Sequence, residues 1–277
     1  MSIQYWKIFL AFLIWLQVGL PDQSYRLLGA SIVAWQDESA KTDPKDPVES
    51  KTTRPSDQEL DFDSLNYASD FESDLDEWEF SDEKAWKLDH VSGSNEPMIR
   101  QFSKASDYQP KFRSPLHQAI LKDQLFGSFE LIVDVRSTHA SYGHRDACLF
   151  FGYQNPDQFY YVHLGQATDP HCNQIFLVNN ADRIKISSKT NRGTPWDEKW
   201  HQVRIVRCCE SGKIEVYFDD QASPVMTAED KTFPEGRIGI GSFDDTADWA
   251  RLRVRKIEPA VKSETPKAGA SPATDGQ

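Results

Sequence analysis

Three observations predict an all-β fold, a sandwich or a barrel, for this sequence of 277 residues. Its apolar residues recur mainly with period two rather than 3.6, which is the pattern of half-buried strands. The periodic runs are short and separated by turn chemistry at regular intervals. The stretch carrying them, about Leu60 to Pro259, is roughly 200 residues, enough to bury about 70% of its unfolded surface in one core.

The strands follow in order. Phe129 to Arg136 alternates cleanly between apolar and polar positions. Ala147 to Tyr153 and Phe159 to Leu164 are aromatic-rich runs joined by Asn155-Pro156-Asp157-Gln158, a turn with Pro at the position that its fixed φ suits. Gln174 to Val178 and Arg183 to Ser187 flank a turn at Asn179-Asn180-Ala181-Asp182. His201 to Arg207 and Lys213 to Phe218 enclose Glu210-Ser211-Gly212, a second hairpin. Within that pair Val203, Ile205, Ile214, Val216 and Phe218 fall on one apolar face, with His201 and Arg207 on the same side. Gly236 to Gly241 and Ala250 to Ile257 complete the set. Short helical turns are expected near Ser114 to Lys122 and Ala228 to Lys231.

The two ends differ from this unit. Residues 1–34 carry one cation, Lys7, before the apolar run Ile8 to Leu16, shorter than the roughly 20 residues that span a bilayer. They read as a signal peptide, or an uncleaved N-terminal anchor, with cleavage near Ala34. Export to the periplasm, the cell surface or the medium follows, with no stable membrane insertion after cleavage. Residues 35–59, with Pro44, Pro47 and Pro55 among charged and small residues, form an acidic disordered linker, and residues 260–277 a disordered tail. The formal net charge of −12 argues against nucleic acid or an anionic membrane as partner, since both need an excess of cations.

Several motifs together resemble a known superfamily. These are GSFELIVDVR (127–136), LFFGYQNPDQFYYVHLG (149–165), WHQVRIVR (200–207), GKIEVYFDD (212–220), GRIGIGSFDD (236–245) and ARLRVR (250–255). They resemble the concanavalin-A-like lectin/glucanase group with its laminin-G-like jelly rolls, and are similar to bacterial 3-keto-disaccharide hydrolase and family-16-like domains. The resemblance covers about Leu60 to Ile257 and narrows the fold to an antiparallel jelly-roll β-sandwich. It implies contact with a polysaccharide or oligosaccharide but not an activity, because folds of this kind host lectins, hydrolases and lyases alike.

Three groups of residues are candidates for chemistry. Tyr161 and His163 share a strand face with Phe159, and Leu149, Phe151 and Tyr153 share one on the neighbouring strand; His144, Arg145 and Asp146 stand at the rim. An aromatic floor flanked by hydrogen-bonding groups is what a sugar ring needs. The alternative is that Tyr161 packs in the core and His163 satisfies one hydrogen bond. The loop Asp169-Pro170-His171-Cys172-Asn173 offers His171 and Asn173 for rim contacts to ligand. Its spacing matches no transition-metal motif. By analogy with the resembled jelly rolls, Asp244 and Asp245, with Asp70 from the start of the domain, form a calcium cage; no other cofactor is expected.

The primary reading is therefore a secreted glycan-binding module, and the alternative is a polysaccharide-active enzyme. The Glu-x-Asp-x-x-Glu strand motif of family-16 glucanases is absent, so a hydrolase lacks its usual carboxylate pair. A lyase acting on uronate polymers would use Arg145, Tyr161 and His163 as neutraliser, acid and base. What separates the readings is whether those three converge in one cleft. The four cysteines are expected as free buried thiols or as at most one bridge: Cys208 and Cys209 point opposite ways on a strand, and Cys148 and Cys172 flank an intervening strand.

Overall fold

The computed structural model describes residues 65–219 and 222–257. The predicted signal segment, the linker and the tail lie outside these residues. The described chain is an antiparallel jelly-roll β-sandwich of two sheets. Its strands are β1 (Tyr67–Ser69), β2 (Trp78–Phe80), β3 (Trp86–His90), β4 (Pro97–Gln101), β5 (His117–Leu121), β6 (Phe129–Ser137), β7 (Asp146–Asn155) and β8 (Gln158–Gly165). They continue with β9 (Gln174–Asn179), β10 (Ile184–Lys185), β11 (Ser187–Lys189), β12 (His201–Cys208), β13 (Lys213–Phe218), β14 (Met226–Glu229), β15 (Arg237–Ser242) and β16 (Ala247–Lys256).

One sheet has nine strands in the order β11-β14-β13-β12-β6-β16-β4-β3, with β1 also paired to β16. The other has seven, β10-β9-β8-β7-β15-β5-β2. The core between them takes alternate residues from each strand. Val203, Ile205, Ile214, Val216 and Phe218 supply one side and Leu149, Phe151, Tyr160, Val162 and Leu164 the other. The buried–intermediate alternation along β12 follows the sequence pattern residue by residue. Arg207 also lies on this inner side, fully buried, its guanidinium over the rings of Tyr160 and Phe151 and donating to the Phe233 carbonyl at 2.6 Å.

Two expectations change. Neither predicted helical turn forms: His117–Leu121 is β5 and Met226–Glu229 is β14. Both stretches are short and mixed in polarity, so local pattern was weak and cross-strand pairing decided the outcome. The second change concerns Tyr153. Gly152 adopts φ 56°, and a Cβ there would lie 2.8 Å from the Tyr160 ring. The β7–β8 register shifts between Phe151 and Asn155. This irregularity turns Tyr153 away from Leu149 and Phe151 and onto the outer face, beside Phe150 and Phe159. Among the described residues no helix is long and apolar enough to cross a membrane.

Candidate functional site

The outer face of the seven-stranded sheet carries an aromatic floor, but its β7 residue beside Tyr161 is Phe150, while the expected Leu149 and Phe151 face the inner core. Register explains its composition. Phe150 pairs with Tyr161, which pairs with Phe176, and a Cβ at Gly241 would lie 3.1 Å from the Phe150 ring. Tyr161 stacks on Phe176 at 5.2 Å, and Phe150 meets Phe159 edge-on at 5.7 Å. This part of the floor is sealed. Phe112 and Phe243 pack onto it. The Arg183 guanidinium sits over Phe176 and Phe243 at 4.6 and 4.4 Å and donates to the Tyr161 hydroxyl at 2.7 Å. The cover is tied down where Asp182 accepts from the Arg113 backbone N–H at 2.8 Å. Tyr161 and Phe159 are fully buried and His163 is 3% exposed. Burial, the largest influence, holds the Tyr161 phenol far above its ordinary range. Tyr161 and Phe159 thus form a second small core rather than an open sugar platform.

Arg145 does not join Tyr161 and His163. It closes the Gly143–His144 turn just before β7 and points the other way, donating to the Ser137 hydroxyl, the Ser137 carbonyl and the Asp197 carbonyl, each at 2.8 Å. The three residues of the expected acid–base set therefore do not converge. Successive residues on a strand face opposite sides, and Asp146, not Arg145, shares the outer face with His163.

One end of this face is polar. Asp146 accepts from the Phe243 backbone N–H at 2.9 Å, and its other oxygen lies 3.2 Å from His163 Nε2. Asp245 is fully buried and accepts from the Tyr142 hydroxyl at 2.7 Å and the Asp146 N–H at 3.0 Å, while Lys104 reaches its other oxygen at 3.1 Å. Asp244 is exposed but crowded, and desolvation, then Asp146 and Asp245, raise its carboxyl above the ordinary range. Asp70 has no part in this cluster: its carboxylate caps its own turn, accepting from the Glu72 and Ser73 backbone N–H groups at 2.9 Å. The third acid beside Asp244 and Asp245 is Asp146. At the rim His144 meets Asp169 at 2.6 Å. His171 is exposed and lends its carbonyl to His163. Asn173 is buried, with its amide spent on Thr168, Thr190 and Asn191. It holds the loop together and presents nothing to a ligand.

At the other end of the same face Tyr108 is half-buried, while Tyr153 and Gln118 are 5% and 2% exposed. Here a cleft of about 200 Å³ is lined by Tyr108, Tyr153, Gln118, Glu79, Phe80 and neighbouring residues. Tyr153 is fixed by stacking on Phe159 at 5.2 Å and donates to Gln118 Oε1 at 3.3 Å, while Gln118 donates to the Pro115 carbonyl at 2.9 Å. Arg237 lies over the Tyr153 ring at 5.0 Å and pairs with Glu79 at 2.7 Å. Burial raises the phenols of Tyr153 and Tyr108, so both stay neutral and can donate and accept at ordinary pH. Phe80 also lines a second cleft of about 280 Å³ at the open sandwich edge, with Trp78, Trp86 and Leu88. Tyr108, Gln118, Glu79 and the edge cleft are absent from the sequence-based set. They come from segments before Phe129 whose pattern is weak. A further recess of about 370 Å³ lies beside Asp70 and Arg251, with the buried Tyr67 as its aromatic residue, its hydroxyl donating to Asp74.

No family model matches the chain, and no curated protein matches it. Solved structures with a similar arrangement include carbohydrate-binding module CBM66 from Bacillus subtilis, at 16% identity and a TM-score of 0.47, covering 65% of this chain and 96% of that one. Lectin I-B4 from Griffonia simplicifolia is similar at 13% identity and a TM-score of 0.43, covering 68% and 97%. The GH43 protein BlXynB from Bacillus licheniformis is similar at 12% identity and a TM-score of 0.47, covering 69% of this chain and 39% of that one. Similarity at this level carries neither a family nor an activity over to this chain.

Proposed function

We propose that this protein is an exported glycan-binding module that holds a saccharide segment in the cleft between Tyr108 and Tyr153. The observation that carries this reading is the cleft at one end of an otherwise sealed aromatic face. There the half-buried ring of Tyr108 stands beside the buried Tyr153 and Gln118, the Tyr153 hydroxyl donating to the Gln118 side-chain oxygen and the Gln118 amide donating to the Pro115 carbonyl. Aromatic faces accept the C–H surface of a sugar ring, and flanking amide, phenol and carboxylate groups meet its hydroxyls. Phe80, shared with the edge cleft, would let a longer chain continue along the sandwich edge. The apolar run Ile8 to Leu16 supports export.

The geometry favours binding over catalysis. Tyr161 and His163 lie beneath Phe243 and Arg183, and Arg145 is engaged with Ser137 and Asp197. Calorimetric titration with a panel of neutral and uronate oligosaccharides tests the reading. Tyr108→Ala is expected to weaken binding of any saccharide the parent takes by at least about tenfold, as loss of a stacked ring implies. His144→Ala, at the far end, is expected to leave it unchanged. Equal affinity in Tyr108→Ala would remove the cleft as the site.

A further inference from the structure

We propose that Asp146, Cys148 and His163 form a binding site for a zinc-class divalent metal ion, separate from the glycan cleft and independent of it. The sequence sets the arrangement. Asp146 and Cys148 are alternate residues on β7 and so share a face, and His163 on β8 is the cross-strand partner of Cys148. All three are buried, and one donor atom from each lies within 4.8 Å of the others. The set offers one carboxylate, one sulfur and one imidazole, the donor types zinc prefers.

The state of His163 points to a ligand. Its Nδ1 lies 3.1 Å from the His171 carbonyl, which can only accept, so Nδ1 carries the proton. That is how metal-binding histidines are usually oriented by their second nitrogen. Nε2 is buried and has no aligned hydrogen bond, although Asp146 Oδ2 is 3.2 Å away. Two donors bonded to zinc at about 2.0–2.1 Å with tetrahedral angles sit about 3.3 Å apart. The spacing of Nε2 and Oδ2 is thus that of one edge of a metal tetrahedron.

His201 in the same molecule provides the contrast. There both ring nitrogens make aligned hydrogen bonds to carboxylates, Nδ1 to Asp219 at 3.0 Å and Nε2 to Asp197 at 3.1 Å. This is how the fold holds a plain imidazolium, and His163 is not held that way. Metal binding at Cys148 releases the thiol proton to solvent and leaves the thiolate on the ion. The exposed Asp244 carboxylate clusters with Asp146 and Asp245.

The test uses the full chain, stripped with chelator under reducing conditions, checked for retained fold by circular dichroism, and titrated with Co²⁺ as a probe for Zn²⁺. We expect one equivalent of Co²⁺ with a thiolate-to-metal charge-transfer band and visible bands of tetrahedral intensity, displaced by Zn²⁺. Cys148→Ser is expected to abolish the charge-transfer band, and Cys172→Ser and Cys208→Ser to keep it. Because the parent spectrum is itself decisive, a misfolded variant does not rescue the idea. A parent that binds no Co²⁺, or binds Ca²⁺ or Co²⁺ without the sulfur band, overturns the proposal. So does a Cys148–Cys172 disulfide found in the native protein by mass spectrometry. Saccharide affinity in Cys148→Ser is expected to match the parent, so the two proposals fail separately.

Discussion

The two sheets turn opposite kinds of surface away from their shared core. The nine-stranded sheet presents a ladder of charges. Asp248, fully buried, is bracketed by Arg100 at 2.7 Å and Arg136 at 2.5 Å. Glu130 lies between Arg204 at 3.3 Å and Arg255 at 2.6 Å, and Asp134 pairs with Arg251. The seven-stranded sheet presents Phe150, Phe159, Tyr161 and Phe176, and these are covered by Phe112, Phe243 and Arg183. A paired charged face tolerates water and needs no cover. A contiguous aromatic face does not, so it is either sealed by chain or used for binding. This molecule seals most of the face, and at one end a cleft opens beside the half-buried Tyr108 and the buried Tyr153.

That contrast is broken most severely in the sealed part. Phe150→Ala removes a fully buried ring and should cost about 3–5 kcal/mol, read from the urea midpoint. A loss under about 1 kcal/mol would mean that the cover is loose and the floor reachable. On the charged face the expected effect is smaller. Asp248→Ala leaves two partly exposed guanidinium groups that water can reach, and should cost about 1–3 kcal/mol. A cost matching that of Phe150→Ala would mean that the ladder is as dry as the aromatic face.

The smallest expected effect is a pH dependence at His201. Burial pulls its pKa down, but the hydrogen bonds and charges of Asp219 and Asp197 outweigh this and leave it raised. A histidine whose folded pKa exceeds the unfolded value of about 6.5 contributes stability in full below that pH. The contribution is lost as the pH rises through the folded value. The stability difference between the parent and His201→Gln should therefore shrink from pH 6 to pH 9, with the His201 ring resonances titrating above the usual range. A difference that grows with pH would reverse the sign.

The fold was legible in the sequence wherever alternation was strong. Strands β6, β12 and β13 show the predicted inner and outer faces, and the β7–β8 hairpin turns at Pro156 and Asp157 as its residues require. The site was less legible, for three physical reasons. Gly152 breaks the alternation and moves Tyr153 to the outer face. The cover over Tyr161 comes from Phe112, Arg113 and Arg183, whose docking is a tertiary event with no local signal. Glu79, Tyr108 and Gln118 arrive from three separate segments. The grouping of Asp146, Cys148 and His163 was not read from the sequence, which put Asp146 on the rim and Cys148 among the thiols; it needs the β7–β8 register and the geometry around His163 Nε2, which makes no aligned hydrogen bond.

The central claim, that the aromatic face binds saccharide at its cleft end and nowhere beneath its cover, is tested most directly by amide chemical-shift mapping with a bound oligosaccharide. The account predicts shifts centred on Glu79, Tyr108, Gln118 and Tyr153, with Tyr161, Phe176 and the 139–144 loop unmoved. Shifts centred on the 139–144 loop and on Phe243 instead would place the saccharide at the polar end and contradict it.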